Sequence, residues 1–389
     1  MKRTITILLL LSFLVACNAP VASPEALAES ATSIPETPIP ATLEPAAIDA
    51  PLVQSPELIK IQFLTPRDGW GVTATQIVRT NDGGVTWYDV TPPELGEAGY
   101  DVDWFIMDND HVWLQLADNA NYPNAGFQYR TTDGGVTWNE IDTPYSGAHI
   151  SFVDPNDGWA LADLGIGAGS NAVAVYQTTD GGATWIQKFT NDPNRPSSSD
   201  SIPLSGLKFG LTPLNMQTAW VYGVVYASGS PYIFRTDDGG ATWSPVTLTL
   251  PEGGADAELS VEEVSFANEN TIFLVMRNTA NATSTSIYIS TDSGHTWSLT
   301  PTSIPDGGFV SFISPSELVF YNRAQFYVTR DAAKTWSIIP PEIKFGDSFS
   351  GMDFVNADTG YVLSLNSDTN HTSLYRTDDG GATWFPVIP

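Results

Sequence analysis

The stretch "RTNDGGVTWYDV", residues 79–90, decides the fold, because the chain spells it repeatedly. Close copies are "RTTDGGVTWNEI" from Arg130, "QTTDGGATWIQK" from Gln177, "RTDDGGATWSPV" from Arg235 and "RTDDGGATWFPV" from Arg376. Two looser versions, "STDSGHTW" from Ser290 and "TRDAAKTW" from Thr329, complete a set of seven. The common pattern is T/S-x-D-x-G-x-T-W. Its acids are Asp82, Asp133, Asp180, Asp238, Asp292, Asp331 and Asp379. Its tryptophans are Trp87, Trp138, Trp185, Trp243, Trp297, Trp336 and Trp384, spaced 39 to 58 residues apart. The sixth copy carries Ala333 where the others have Gly.

Each residue type has a structural task. Asp and Thr side chains beside a short turn bond to nearby backbone and hold it closed. Gly supplies positive φ without a Cβ clash. The Trp buries a large ring on the outgoing strand. The stretch therefore reads as a fastener between two strands. A calcium loop would need further oxygen ligands, which these turns lack.

A second signature precedes each copy, although the fourth unit, "GLTPLNMQTAWVYG", breaks the count with a longer turn before Trp220. Pairs such as Phe63 and Trp70, Phe152 and Trp159, or Phe354 and Tyr361 sit seven residues apart around turn formers, as in "FLTPRDGWGVT" and "FVDPNDGWALA". Each unit thus reads strand a, turn, strand b, loop, strand c, repeated turn, strand d. Four short strands at such a period mean propeller blades. The expectation is an all-β chain whose residues 57–389 form a single seven-bladed β-propeller of four-stranded antiparallel blades. The first unit starts with strand a and the last ends with strand d, so closure is expected from packing between the first and last blades.

The N-terminus reads differently. "MKRTITILLLLSFLVAC" has Lys2 and Arg3 before an apolar run that is short for a membrane span, as in a secretory signal. "LVAC" resembles a bacterial lipobox. That resemblance implies a signal peptide over 1–16 and a lipid on Cys17, the chain's one cysteine, with the protein anchored outside the cytoplasm on a bacterial membrane. Residues 17–56 are rich in Ala, Pro, Glu, Ser and Thr and read as a solvated linker. The chain carries a formal charge of −28 on only 16 Lys and Arg, which argues against nucleic-acid partners.

T/S-x-D-x-G-x-T-W resembles the Asp-box, or BNR repeat, of sialidases, sortilins and related propellers. With its "DGW" turns the chain looks most like the photosystem II assembly and stability factor family and its bacterial relatives. The resemblance covers roughly residues 57–389. It implies partner-protein binding through an arginine-rich surface. This chain departs there, since Arg79, Arg130, Arg235 and Arg376 share one position ahead of the turn and read as structural.

In an up-and-down blade the a–b and c–d turns share one face, and the b–c and d–a loops share the other. All length variation falls on the second face: "ADNANYPNAGF" (117–127), "ADLGIGAGSNAVA" (162–174), "YGVVYASGSPY" (222–232) and "TNDPNRPSSSDSIPLSG" (190–206) are examples. Varied loops on a constant frame are where binding concentrates. Counting alternate residues back from the strand-a markers gives a channel set of Lys60, Gln62, Asp103, His149, Lys208, Glu263 and Asp353. Arg277 and Arg323 map to the variable face. Trp104, Tyr122, Tyr145 and Tyr226 could stack on sugars or simply fill the fold. The four histidines lack ligand spacing, so neither a metal nor a cofactor is expected.

The principal reading is a lipid-anchored extracytoplasmic scaffold that binds protein or glycan without catalysis. The enzyme alternative is a sialidase-like or other glycoside hydrolase. It would need converging arginines, with Arg195, Arg277 and Arg323 as candidates, beside Tyr321 and Glu263. A structural spacer without a specific ligand is the third reading.

Overall fold

Short runs rich in β-branched and aromatic residues, cut by Gly, Pro, Asn and Asp, set the strands. The computed structural model of the chain describes residues 48–388, apart from 94, 97, 98, 100, 101, 119, 196–200 and 279–282. The expected signal segment, Cys17 and most of the expected linker lie outside the described residues.

The first sheet comprises β1 (Leu52–Val53), β2 (Lys60–Phe63), β3 (Gly69–Val72), β4 (Ile77–Thr80) and β5 (Trp87–Asp89). The second holds β6 (Asp103–Ile106), β7 (Val112–Leu116), β8 (Gly126–Thr131) and β9 (Asn139–Thr143). The third holds β10 (Ala148–Phe152), β11 (Gly158–Gly167), β12 (Ser170–Thr178) and β13 (Ile186–Thr190). Next come β14 (Leu207–Pro213), β15 (Ala219–Val224), β16 (Tyr232–Thr236) and β17 (Ser244–Pro245). They share a sheet with β18 (Leu259–Phe266), β19 (Ile272–Asn278), β20 (Ser284–Ser290) and β21 (Ser298–Pro305). β22 (Phe309–Phe312), β23 (Leu318–Tyr321), β24 (Phe326–Thr329) and β25 (Ser337–Ile339) form the fifth sheet. β26 (Phe349–Phe354), β27 (Gly360–Asn366), β28 (His371–Thr377) and β29 (Phe385–Pro386) form the last.

The architecture is an all-β propeller, but the expectation of seven separate four-stranded blades is corrected. Among the described residues, hydrogen bonding makes six sheets: four of four strands, one of five and one of eight. The eight-stranded sheet arises because β15 and β18 run far enough to meet, pairing Val224 with Ser260. The five-stranded sheet arises because Leu52 and Val53 pair with Tyr88 and Trp87. That added strand covers an edge that would otherwise expose unpaired backbone.

The repeated turns are built alike. In the first, Thr80 Oγ1 accepts from Gly84 N at 2.9 Å and donates to Asp82 Oδ1 at 2.9 Å. Asp82 Oδ1 accepts from Thr86 N at 2.9 Å, and Oδ2 accepts from Thr86 Oγ1. The same four bonds recur around Asp133, Asp180, Asp238, Asp292, Asp331 and Asp379.

In the fifth turn glycine is required for two reasons. Gly294 has φ 75°, and a Cβ on it would lie 2.3 Å from Trp220 Cζ2 of the preceding repeat. Each turn also bonds back to the a–b turn of its own unit, as in Gly83 N to Arg67 O at 2.8 Å and Gly380 N to Asp358 O at 2.8 Å. Both kinds of turn therefore share one rim.

The arginine ahead of the turn ties units together. Arg79 lies over Trp70 at 5.5 Å and donates from Nη1 to Gly134 O at 3.2 Å, one repeat further on. Arg130 repeats the geometry, over Trp113 at 5.5 Å and bonded to Pro155 O at 2.9 Å. Ring closure uses the same materials. Phe63 stacks on Tyr361 with centroids 3.6 Å apart, and Tyr361 donates to Pro66 O at 2.8 Å. Glu57, within the segment ahead of the first repeat, accepts from His371 at 2.6 Å and from Thr372 N at 2.7 Å.

Candidate functional site: the variable rim and the central channel

Neighbouring innermost strands touch in series, β6 with β10, β10 with β14, β14 with β18, and β26 with both β22 and β2. Their first residues stand at the rim opposite the repeated turns. Because a strand alternates its faces, one side of each points to the axis. Three of these strands break the alternation with a β-bulge. The register skips Phe209 in β14, Glu262 in β18 and Ser350 in β26. A bulge leaves one residue unpaired and re-aims it, which is a recurrent device beside functional sites.

The bulges decide where the expected channel residues go. Lys208 turns away from the axis into its blade, since the extra residue at Phe209 inverts the parity behind it. Its ammonium is buried and donates to four carbonyls: Leu204 O at 2.7 Å, Gly206 O at 2.9 Å, Asn171 O at 3.0 Å and Ser205 O at 3.2 Å. Burial pulls its pKa down to about 8. Lys208 is thus a clasp on the segment leading into β14. Phe209 takes its place outside, 44% exposed.

Asp103 and His149 meet, with His149 Nδ1 at 3.3 Å from Asp103 Oδ2, and Ile150 N donates to the same oxygen at 3.3 Å. Burial pulls the His149 pKa down, but the bond to Asp103 and the charges of Asp103 and Glu263 outweigh it and leave it raised. Glu263 is near enough for its charge to act on His149, and burial pushes its carboxyl up to about 7. Asp353 accepts from Phe63 N and is pushed by burial to about 6. Lys60 donates to Val102 O at 2.5 Å, linking first and second units. Of the expected set, Asp103 and His149 meet, and the charge of Glu263 reaches His149.

Arg277 lies 3.6 Å from Glu262 on the wall of a cavity of about 400 Å³ that also meets Glu263, Phe309 and Met352. Arg323 lies over the Phe309 ring at 5.3 Å, with φ 69°. Of the other hydrolase candidates, Glu263 shares the cavity with Arg277 and Tyr321 lies beside Arg323, while Arg195 stays apart. Arg195 is held by Asp192 at 3.3 Å and Asn124 at 2.7 Å. Tyr321 is buried, stacked on Phe326 at 4.3 Å, and donates its hydroxyl to Arg323 O at 2.9 Å. Among the described residues, no group of three or more His, Cys, Asp or Glu could hold a metal ion. Of the candidate sugar platforms, Tyr145 is buried in the core, whereas Tyr122 and Tyr226 are 43% and 60% exposed.

Residue counting missed a second opening. The stretch 162–174, expected as a loop, is mostly strand: β11 and β12 run as a long hairpin, with Gly165 paired to Ala172 and Gly167 to Ser170. Tyr226 packs on its tip, so that a Cβ on Gly169 would lie 2.9 Å from the ring. At the hairpin's base lies a cavity of about 290 Å³, lined by Ala148, His149, Leu161, Ile166, Leu207 and Phe209 among others. The continuous apolar run "AVAVY" signals the second strand of this hairpin. Nothing in the sequence marks the bulge at Phe209.

No protein-family model matches the chain, and no curated protein matches it. Solved structures do. A polysaccharide lyase, an ulvan lyase bound to -[GlcA(1-4)Rha3S]-, is similar at 11% identity, covering 87% of this chain and 97% of that one, with a TM-score of 0.51. An ancestral GH74 enzyme is similar at 11% identity over 82% of this chain and 46% of its own, with a TM-score of 0.50. YCF48 bound to D1 peptide is similar at 17% identity, covering 85% of this chain and 95% of that one, with a TM-score of 0.49. At such identities the likeness is one of fold.

Proposed function

We propose that the chain is a non-catalytic binding or assembly scaffold, taking protein or glycan at its variable rim, and held outside the cytoplasm by a lipid on Cys17. The observation that carries the reading is the unequal use of the two rims. On the turn rim, the Thr and Asp side chains of the repeats are spent on bonds within the fold, as the four bonds around Asp82 illustrate. On the opposite rim three bulges re-aim side chains, two cavities open, and Ile166, Phe209 and Tyr226 face solvent. Exposed apolar groups gathered at one place are what a recognition surface needs.

The full-length protein, displayed on membranes, is screened against immobilised oligosaccharides and envelope proteins, beside a variant whose residues 164–169 are replaced by a two-residue turn. Ligand retention lost in that variant supports the reading. Turnover of fluorogenic glycosides that disappears in Glu263→Gln or Arg277→Ala would replace it with an enzyme. For the anchor, Cys17→Ser should move the protein from the membrane to the soluble fraction.

A further inference from the structure

We propose that the cavity at the base of the β11–β12 hairpin is the docking site for an exposed peptide segment, one whose apolar anchor side chain is flanked by Lys or Arg. This inference rests on the variable rim being the binding face, and names the sector and the partner chemistry. The cavity, about 290 Å³, has walls made by Ala148, Leu161, Ile166, Val173, Leu207 and Phe209. Ile166 and Phe209 are 68% and 44% exposed, so its lip is apolar as well as its floor. A side chain entering there exchanges water for hydrocarbon on most sides, the situation of an interface anchor in its pocket. A sugar ring would instead leave hydroxyls facing walls that offer few partners, at a cost for each.

Charge sets what must stand beside the anchor. At the inner end, His149 contacts Asp103 at 3.3 Å. On the hairpin side, Asp163 lines the cavity and accepts from Gly165 N at 2.9 Å. The one lysine of the lining, Lys208, has its ammonium donors taken by Asn171, Leu204, Ser205 and Gly206 carbonyls, so it offers no free N–H to a ligand. The chain as a whole carries −28. An acidic peptide meets repulsion from Asp163 and from the chain's overall charge, while a cationic one gains attraction and faster encounter. The bulge explains why the surface exists at all: without the unpaired residue in β14, Phe209 would face inward and Lys208 the rim.

The test is fluorescence polarisation with the full-length protein and three labelled hexapeptides, Gly-Lys-Leu-Phe-Lys-Gly, Gly-Glu-Leu-Phe-Glu-Gly and Gly-Lys-Gly-Gly-Lys-Gly. The first should bind at least about tenfold tighter than either of the others. Phe209→Ser and Ile166→Asp, both at exposed positions, should each weaken it about tenfold without lowering the melting temperature. Asp163→Asn should flatten its salt dependence. Equal binding of the acidic or the glycine probe, no binding of the first, or an unchanged affinity in Phe209→Ser would overturn the proposal. Competition by a glucuronate oligosaccharide with the probe absent from the cavity would also overturn it, yet leave the variable rim as the binding face. Loss of every rim-dependent ligand in the oligosaccharide and protein screen would remove both.

Discussion

At the scale of single residues, the sixth turn is a natural experiment. Ala333 has φ 61° and is fully buried, where the other copies carry Gly. Changing it to Gly relieves a left-handed backbone worth about 1–2 kcal/mol and loses a buried methyl worth about 0.8 kcal/mol. Ala333→Gly should therefore melt within about 1 kcal/mol of the parent. Gly294→Ala, the same position one repeat earlier, meets Trp220 at 2.3 Å with φ 75° and should lose about 2–4 kcal/mol. Equal effects in calorimetry would show that the turns are not equivalent frames.

Titration supplies a second residue-scale expectation. Burial raises Glu263 to about 7 and Asp353 to about 6, so the folded chain keeps protons that the unfolded chain has released. Their stabilising contribution is full below the ordinary carboxylate range and is lost as pH rises through the folded values. The turn acids act in the opposite sense. Bonds from Thr296 bring Asp292 to about 2, a contribution present above the ordinary range and lost as pH falls. Between about pH 5 and pH 8, Glu263→Gln should show a smaller fall in melting temperature than the parent. Parallel curves would mean that the carboxyl is not held proton-bound by the channel.

At the scale of the element, the repeated turn and its tryptophan form one unit. Trp243 is 4% exposed and donates Nε1 to Gly240 O at 3.1 Å, closing the turn onto its own strand. Trp243→Ala should cost about 3–5 kcal/mol in denaturant unfolding, and an unchanged midpoint would contradict the fastener role. This element was legible in the sequence because its chemistry is local: Thr80, Asp82, Gly84 and Thr86 bond to one another within seven residues. The inner strands were legible only in part. Counting alternate residues put Asp103, His149, Glu263 and Lys208 in one set; Asp103 and His149 do meet, and Lys208 turns away because one unpaired residue at Phe209 reverses every face behind it. A bulge is set by how two strands meet, and a single strand's pattern does not carry that.

At the scale of the whole molecule, the repeats fixed the all-β propeller but not how its strands divide into sheets. The seam through Val224 and Ser260, and the added strand at Leu52–Val53, depend on the lengths of strands that the turns do not control. The same division of labour runs through the proposed function. One rim is uniform because its side chains bond to each other, and the other varies because the frame does not depend on it. Hydrogen exchange of the full-length protein with and without the cationic apolar hexapeptide tests this most directly. The account predicts slowed exchange at residues 163–173 and 204–210, with the repeated turns unchanged. Slowing concentrated at the turns, such as residues 82–86 and 133–137, would place binding on the rim described here as a fastener and contradict it.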